Sequence, residues 1–164
     1  MNKNLAKKLD SATFAAGCFW GVEEEFRTHK GVVETEVGYA GGHLDKASYE
    51  DVSSGQTGHA ESVNVTFDPK VVLYKELVEF FFSIHDPMQV NSQGPDFGSQ
   101  YRSVIFFHNQ DQERIARQVK EELEKSGKYN KPIATEIVPA GKFWRAEEYH
   151  QKYFQKHKLQ KMFM

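Results

Sequence analysis

Ala12-Thr13-Phe14-Ala15-Ala16-Gly17-Cys18-Phe19-Trp20-Gly21-Val22-Glu23-Glu24-Glu25-Phe26 is the stretch on which the fold turns. Ala12 to Ala16 reads as a short strand. Phe19, Val22 and Phe26 recur at helical spacing, so a helix begins right after it. Cys18 therefore lies at a strand-to-helix turn, with Gly17 and Gly21 on either side to permit a tight turn and close approach of a substrate. Free backbone N–H groups and the helix dipole favour negative charge there. A thiol in that place is expected to ionise near neutral pH and act as a nucleophile. The alternative is a small buried hydrophobe, the usual fate of a lone cysteine. Glu23, Glu24 and Glu25 would oppose a thiolate if their charges lay near it.

Composition bounds the function. The 164 residues suit one domain, with 1–11 as a polar lead-in and 158–164 as a tail. Hydrophobic residues make up 39% and charged residues 27%, which describes a globular chain. A net charge of -2 gives no general argument for nucleic acid or an anionic membrane surface. One cysteine excludes an intrachain disulfide. The basic start has no apolar run behind it, so neither a signal peptide nor a membrane helix is expected, and the protein is read as cytoplasmic. A monomer is the expectation for a domain of this size.

Outward from the opening stretch, the first helix should end at His29-Lys30-Gly31. Val32 to Tyr39 alternates as a half-buried strand with Val33, Val37 and Tyr39 on one face. Residues 41–58 have no clear period and read as a long loop. Tyr49 either pins that loop to the body or serves a site. In Glu61-Ser62-Val63-Asn64-Val65-Thr66-Phe67, a period of two puts Glu61 on the apolar face with Val63, Val65 and Phe67. A desolvated carboxyl there would have a raised pKa and could serve as a general acid. Otherwise Glu61 is a strand-end glutamate that reaches solvent.

A helix is predicted over 70–85, with Leu73, Leu77, Phe80, Phe81 and Ile84 as its core stripe. Residues 87–99 read as a second loop. Gln100 to Phe107 reads as a central strand covered on both faces. Asn109 caps a helix of 110–126 with stripe Ile115, Val119 and Leu123, closed by Gly127. A short strand over 134–138 and a helix over 146–157, with Tyr149, Tyr153 and Phe154 on one side, complete an α+β chain.

Motifs exclude as well as suggest. The seven histidines show no metal-ligand spacing, and His59 and His150 read as structural hydrogen-bonding residues. Gly38 to Gly42 lacks the Walker and dinucleotide patterns, and no serine-hydrolase elbow is present. What remains is a nucleophile, two adjacent aromatics, a carboxyl aimed at an apolar face, and tyrosines in or beside loops.

Those residues fall in motifs that resemble a known family. Gly17-Cys18-Phe19-Trp20-Gly21, Gly38-Tyr39-Ala40-Gly41-Gly42, Thr57-Gly58-His59-Ala60-Glu61, His85-Asp86-Pro87, Gln100-Tyr101-Arg102-Ser103 and Ala146-Glu147-Glu148-Tyr149-His150-Gln151 resemble, in order, the A-type peptide methionine sulfoxide reductases. The resemblance covers about residues 12–155. It implies a two-layer α+β sandwich, a mixed sheet covered by helices with a ferredoxin-like core. It implies that Cys18 attacks the sulfoxide sulfur, Glu61 protonates the departing oxygen, and Tyr49 and Tyr101 donate hydrogen bonds to that oxygen. Phe19 and Trp20 would form the pocket for the substrate methyl, and Asp96 would help organise the site. The family acts on the S epimer, free or in proteins, with no metal and no bound cofactor.

Two departures stand out. Many members carry resolving cysteines, whereas this chain has none besides Cys18. A sulfenic acid on Cys18 would then need an external thiol, from glutathione, glutaredoxin or thioredoxin. Pro95 stands where the family more often has asparagine. Rival readings are a thiol peroxidase using Cys18, which would not need the methyl pocket, and a non-catalytic reader of oxidised methionine, which would not need an acid at Glu61.

Overall fold

The computed structural model describes residues 8–158. The expected lead-in before residue 8 and the tail beyond 158 lie outside the described residues, except that Asp10 and Ser11 already belong to the first strand. The strands are β1 (Asp10–Ala16), β2 (Val32–Ala40), β3 (Ala60–Phe67), β4 (Ser92–Gln93), β5 (Asp96–Phe97), β6 (Ser103–Phe107), β7 (Glu136–Pro139) and β8 (Phe143–Arg145). The helices are α1 (Phe19–Arg27), α2 (Tyr49–Ser53), α3 (Tyr74–Ser83), α4 (Gln110–Lys125) and α5 (Tyr153–Lys156).

Six strands form one sheet in the order β7-β6-β1-β3-β2-β8, and β4 and β5 make a separate small hairpin. The inner four, β6-β1-β3-β2, are antiparallel throughout and connect as βαββαβ, which is the ferredoxin-like core. β7 joins β6 in parallel, making the sheet mixed. The reason for the topology is visible in β1. Its residues Ala12 to Ala16 are buried on both faces, so it needs a partner on each edge and cover on each side. Phe14 stacks on Phe26 of α1 at 4.9 Å and on Phe81 of α3 at 5.2 Å, tying both helices to the same strand. Val37, Tyr39, Val63, Val65 and Phe67 share this core with Val22, Leu77, Val78 and Val119. Ala15, Ala40, Ala60, Val104 and Phe106 form a smaller cluster.

Several boundaries move. Val33 is 54% exposed because the β2–β3 register shifts between Val32 and Glu34. An irregular residue reverses the alternation before it. The loop over 41–58 contains α2, with a capping box between Ser48 and Asp51. Residues 70–73 do not continue into α3: Leu73 caps it and is exposed, and the buried face is Tyr74, Leu77, Val78, Phe81 and Phe82. Ser99–Tyr101 is a 3-10 turn, so Tyr101 stands before the strand. β6 is interior and buried on both faces, as its composition required. Asn109 caps α4 by accepting from Gln112 N. β7 runs two residues later than expected, and β8 was unforeseen. The helix over 146–157 is broken: a 3-10 turn at Glu148–His150 is followed by Lys152 with φ 54, then α5. Gln151 explains the break. It is buried and bonds Val37 N, Val37 O and Ala146 O, so this segment serves the edge of β2 instead of its own helix.

Gly42 marks the closest backbone approach in the loop before β3. A Cβ there would lie 2.3 Å from His59 N and 2.4 Å from Thr57 O. Backbone cannot yield as a side-chain tip can. Gly42→Ala is therefore expected to lower stability by about 3 kcal/mol, read as a shifted urea midpoint. An unchanged midpoint would show that the loop has room to move.

Candidate active site

Cys18 is the N-cap of α1, half-buried, with its carbonyl accepting Val22 N at 3.3 Å. Gly17 makes the turn possible. Its φ is +104, and a Cβ would lie 2.8 Å from Gln93 Cγ. That contact also brings the β4–β5 hairpin, with Asp96, against the cysteine turn. Glu61 enters from β3, opposite Tyr39 of β2, and is 2% exposed. It points to the apolar face as its spacing required. Its Oε1 accepts the Phe19 N–H at 3.1 Å, so the first amide of α1 is bound to the candidate acid.

The electrostatics reverse one expectation. The Cys18 thiol is pushed up to about 11, not down. Burial is the largest cause, followed by the charge of Glu61 and then by the amide of Trp20, which lowers it; Asp96 adds to the rise and the amide of Gly21 opposes it. The helix start does what was expected, but desolvation and two carboxylates outweigh it. Glu23 to Glu25 are not the opposing charges. Glu23 is buried and turned to Thr35 Oγ1 and Lys152 N, and Glu24 pairs with Arg27. Burial pushes the Glu61 carboxyl up to about 7, against the Phe19 amide and with help from Asp96.

Tyr49 and Tyr101 lie in the field of the same groups. Burial raises both phenols, Tyr101 to about 12, and the charges of Glu61 and Cys18 act on each. The Ser53 side chain opposes that rise at Tyr49. Thus Cys18, Glu61, Tyr49, Tyr101 and Asp96, drawn from five different places in the chain, converge on one spot.

Phe19 and Trp20 form an aromatic wall. Phe19 is 1% exposed and packs on Tyr39 and His150 at 5.8 and 5.1 Å. Trp20 stacks on Tyr153 at 3.8 Å and donates its Nε1–H to His150 Nδ1 at 2.8 Å. His150 is fully buried, and burial lowers its pKa against the opposing charge of Glu147. Since Nδ1 accepts from Trp20, the neutral ring carries its proton on Nε2. His150 is a hydrogen-bonding histidine, as expected, but its partner is a site residue. His59 holds the loop before β3 instead, through Gly42 N and Leu44 O.

Glu147 was not singled out as a site residue. Its Oε1 accepts the Tyr39 hydroxyl at 2.8 Å and its Oε2 accepts Tyr49 N at 2.9 Å. Burial works to raise its pKa, but the Tyr49 amide, its own amide and the Tyr39 hydroxyl outweigh that and hold it below the usual range. The one available signal was its place in the motif Ala146 to Gln151. Among the described residues, no group of three or more His, Cys, Asp or Glu is placed to hold a metal ion. No helix among them is long and apolar enough to cross a membrane.

The model of the family "Peptide methionine sulfoxide reductase" matches residues 10–164. The peptide methionine sulfoxide reductase MsrA of Methanosarcina acetivorans is 60% identical over 94% of this chain and 82% of its own length. That of Methanoculleus marisnigri is 59% identical over 92% of each. Among solved structures, reduced Mxr1 from Saccharomyces cerevisiae superposes with a TM-score of 0.86 at 40% identity, covering 96% of this chain and 92% of that one. Mxr1 in complex with Trx2 matches with a TM-score of 0.63 at 30% identity, over 93% and 92%. With a family model matched through the whole fold, and relatives that share more than half of their residues with it, this chain belongs to the peptide methionine sulfoxide reductase family and is an oxidoreductase that reduces methionine sulfoxide.

Proposed function

We propose that the chain reduces the S epimer of methionine sulfoxide, free and in proteins, with Cys18 as nucleophile and Glu61 as acid. The observation that carries this is Glu61: 2% exposed, bonded to the amide next to Cys18, and with a pKa of about 7. A sulfoxide oxygen leaves poorly until it is protonated. A carboxyl that still holds its proton near neutral pH supplies that proton. The two groups need opposite states. Protonating Glu61 removes one of the two charges that oppose a Cys18 thiolate, so an acid-bearing site is also the one in which the sulfur ionises more readily. The Cys18 thiolate sulfur bonds to the sulfoxide sulfur while Glu61 passes its proton to the oxygen; the S–O bond then breaks, the oxygen joins Cys18 as its hydroxyl, and the sulfur–sulfur bond breaks to leave a sulfenic acid. Methionine leaves with its sulfur reduced, and the proton that Cys18 gave up on ionising restores Glu61, so the net hydrogen of the sulfenic acid is that of the thiol.

Tyr49 and Tyr101 donate to the oxygen as charge develops on it. Phe19 and Trp20 take the methyl group, whose contact with sulfur favours aromatic walls. Asp96, half-buried on the hairpin, orders the site from the open side. Pro95 precedes it in that hairpin, which pairs Gln93 with Asp96.

Cys18 is the one cysteine of the 164 residues, so an external thiol returns it to the reduced state. The complex of the yeast relative with Trx2 supports a thioredoxin-type protein in that role, alongside glutathione or glutaredoxin. A single-domain monomer working in the cytoplasm completes the reading.

The test is a single turnover without added thiol, each epimer given separately, following methionine release and the mass of the Cys18 peptide. About one methionine per enzyme from the S epimer alone, with one oxygen gained on Cys18, is the expected result. Methionine from the R epimer, or none from either, would overturn it.

A further inference from the structure

Of Tyr39, Tyr49 and Tyr101, Tyr39 is the one whose proton a described hydrogen bond commits within the protein. A phenol has one proton, and that of Tyr39 is given to Glu147. The other oxygen of the same carboxylate takes the backbone N–H of Tyr49. This second bond bears on the placement of the Tyr49 hydroxyl. α2 has five residues, too few to be stable alone. Its capping box is internal to it. What holds it against the sheet is the buried Val52, a bond from Gln100 Nε2 to Ser53 O at 3.4 Å, the Tyr49 ring on His150 at 4.5 Å, and Glu147. Among the described hydrogen bonds, Glu147 alone holds the backbone of Tyr49 from outside the helix.

We infer that Glu147 is a positioning residue: one carboxylate clamps the Tyr49 backbone and the Tyr39 hydroxyl together, which aims the Tyr49 proton at the substrate oxygen and keeps the Tyr39 proton out of the reaction. This rests on the reading of Tyr49 as a hydrogen-bond donor to that oxygen. Glu147 touches no reacting atom and acts through α2. It arrives from the segment that also brings His150 to Trp20, so two bonds from one strap hold Tyr49 and Trp20, and the bond from Lys152 N to Glu23 ties the same strap to α1.

The test is a double-mutant cycle on the intact chain, with dithiothreitol as reductant and thermal midpoints taken on every variant. Tyr49→Phe is expected to lower kcat by roughly 10²- to 10³-fold, as loss of one donor to a developing oxyanion does. Glu147→Ala is expected to lower kcat about 10-fold with KM nearly unchanged, because a donor displaced by a fraction of an ångström loses its effect. Glu147→Gln should keep kcat within about 3-fold, since its amide oxygen still accepts Tyr49 N–H while its NH2 faces the Tyr39 oxygen. In the Tyr49→Phe background, Glu147→Ala should cost no more than about 2-fold further. The pH at which activity levels off should stay in place, because Glu147 is not among the groups that shift Glu61.

Should the alanine variant not fold, Glu147→Asp, one methylene short of reaching both donors, takes its place in the cycle. Losses that multiply in the double variant would remove the positioning role and leave Tyr49 as a donor. Equal losses in Glu147→Ala and Glu147→Gln would mean that charge matters and the clamp does not, again removing the role. An unimpaired Tyr49→Phe would take down the donor reading and the positioning role with it.

Discussion

Cys18→Ser is expected to end turnover, with a loss on the order of 10⁴-fold or more, as for an enzyme deprived of its covalent nucleophile. A serine hydroxyl at this N-cap keeps the backbone of the Gly17 turn and the first bond of α1. It does not keep the chemistry. A hydroxyl neither ionises in a site that already pushes a thiol up to about 11 nor accepts oxygen from a sulfoxide. The fold should be unaffected, because Cys18 is half-buried and the stack of Phe14 on Phe26 that ties α1 to β1 does not involve it. The measurement is methionine release by chromatography over hours. More than a trace of S-epimer reduction by the serine protein would remove Cys18 from the mechanism.

Glu61→Gln is expected to cost about 10²- to 10⁴-fold in kcat, the range for a general acid. Glutamine matches the shape, and its amide oxygen still accepts Phe19 N–H, so the loss isolates the proton. The wild-type pH profile follows from the same group. The active form pairs a protonated Glu61 with an ionised Cys18, one proton between the two groups, so the rate should rise with pH up to about 7 and stay level above it until about 11. In the glutamine variant the levelling at about 7 should vanish, the residual rate continuing to rise with pH as Cys18 ionises. A rate equal to wild type, or a levelling that persists at the same pH, would assign the acid elsewhere.

Stability carries the opposite sign. The folded pKa of Glu61 is raised from 4.5 to about 7, so the native state holds the proton more tightly than the unfolded chain. No cost is present below about pH 4.5; it grows between the two values and is complete above 7, at about 3 kcal/mol. Glu61→Gln should therefore unfold at higher urea than wild type at pH 8, with the advantage gone near pH 4. Activity lost and stability gained at one residue is the mark of a group held in a costly environment for its chemistry.

The chemistry-bearing side chains were legible in the chain because they are local facts. Cys18 between two glycines, at the junction of a period-two and a period-3.6 pattern, is placed by its neighbours alone. Glu61 is placed by alternation along β3, which held through Phe67 because no bulge interrupts its pairing with β1. The same rule failed at Val33, where a register shift one residue later turned the side chain to solvent. It could not find β8 or α2, which are too short to show a period. β8 lies on β2 where Gly38 lets the Trp144 carbonyl come close.

Sequence by itself determined the α+β order and placed the candidate nucleophile, the candidate acid, the aromatic pair and the single thiol. Each of these rests on residue type and on spacing within a few positions. Only the tertiary structure decided the ionisation of Cys18, because that depends on burial and on the charges of Glu61 and Asp96, which lie 43 and 78 positions further along the chain. It alone decided that Glu147 joins Tyr39 to Tyr49 and that His150 holds Trp20. A hydrogen bond across about 100 residues leaves no period behind it; it exists only once the sheet has brought the two ends of the chain together.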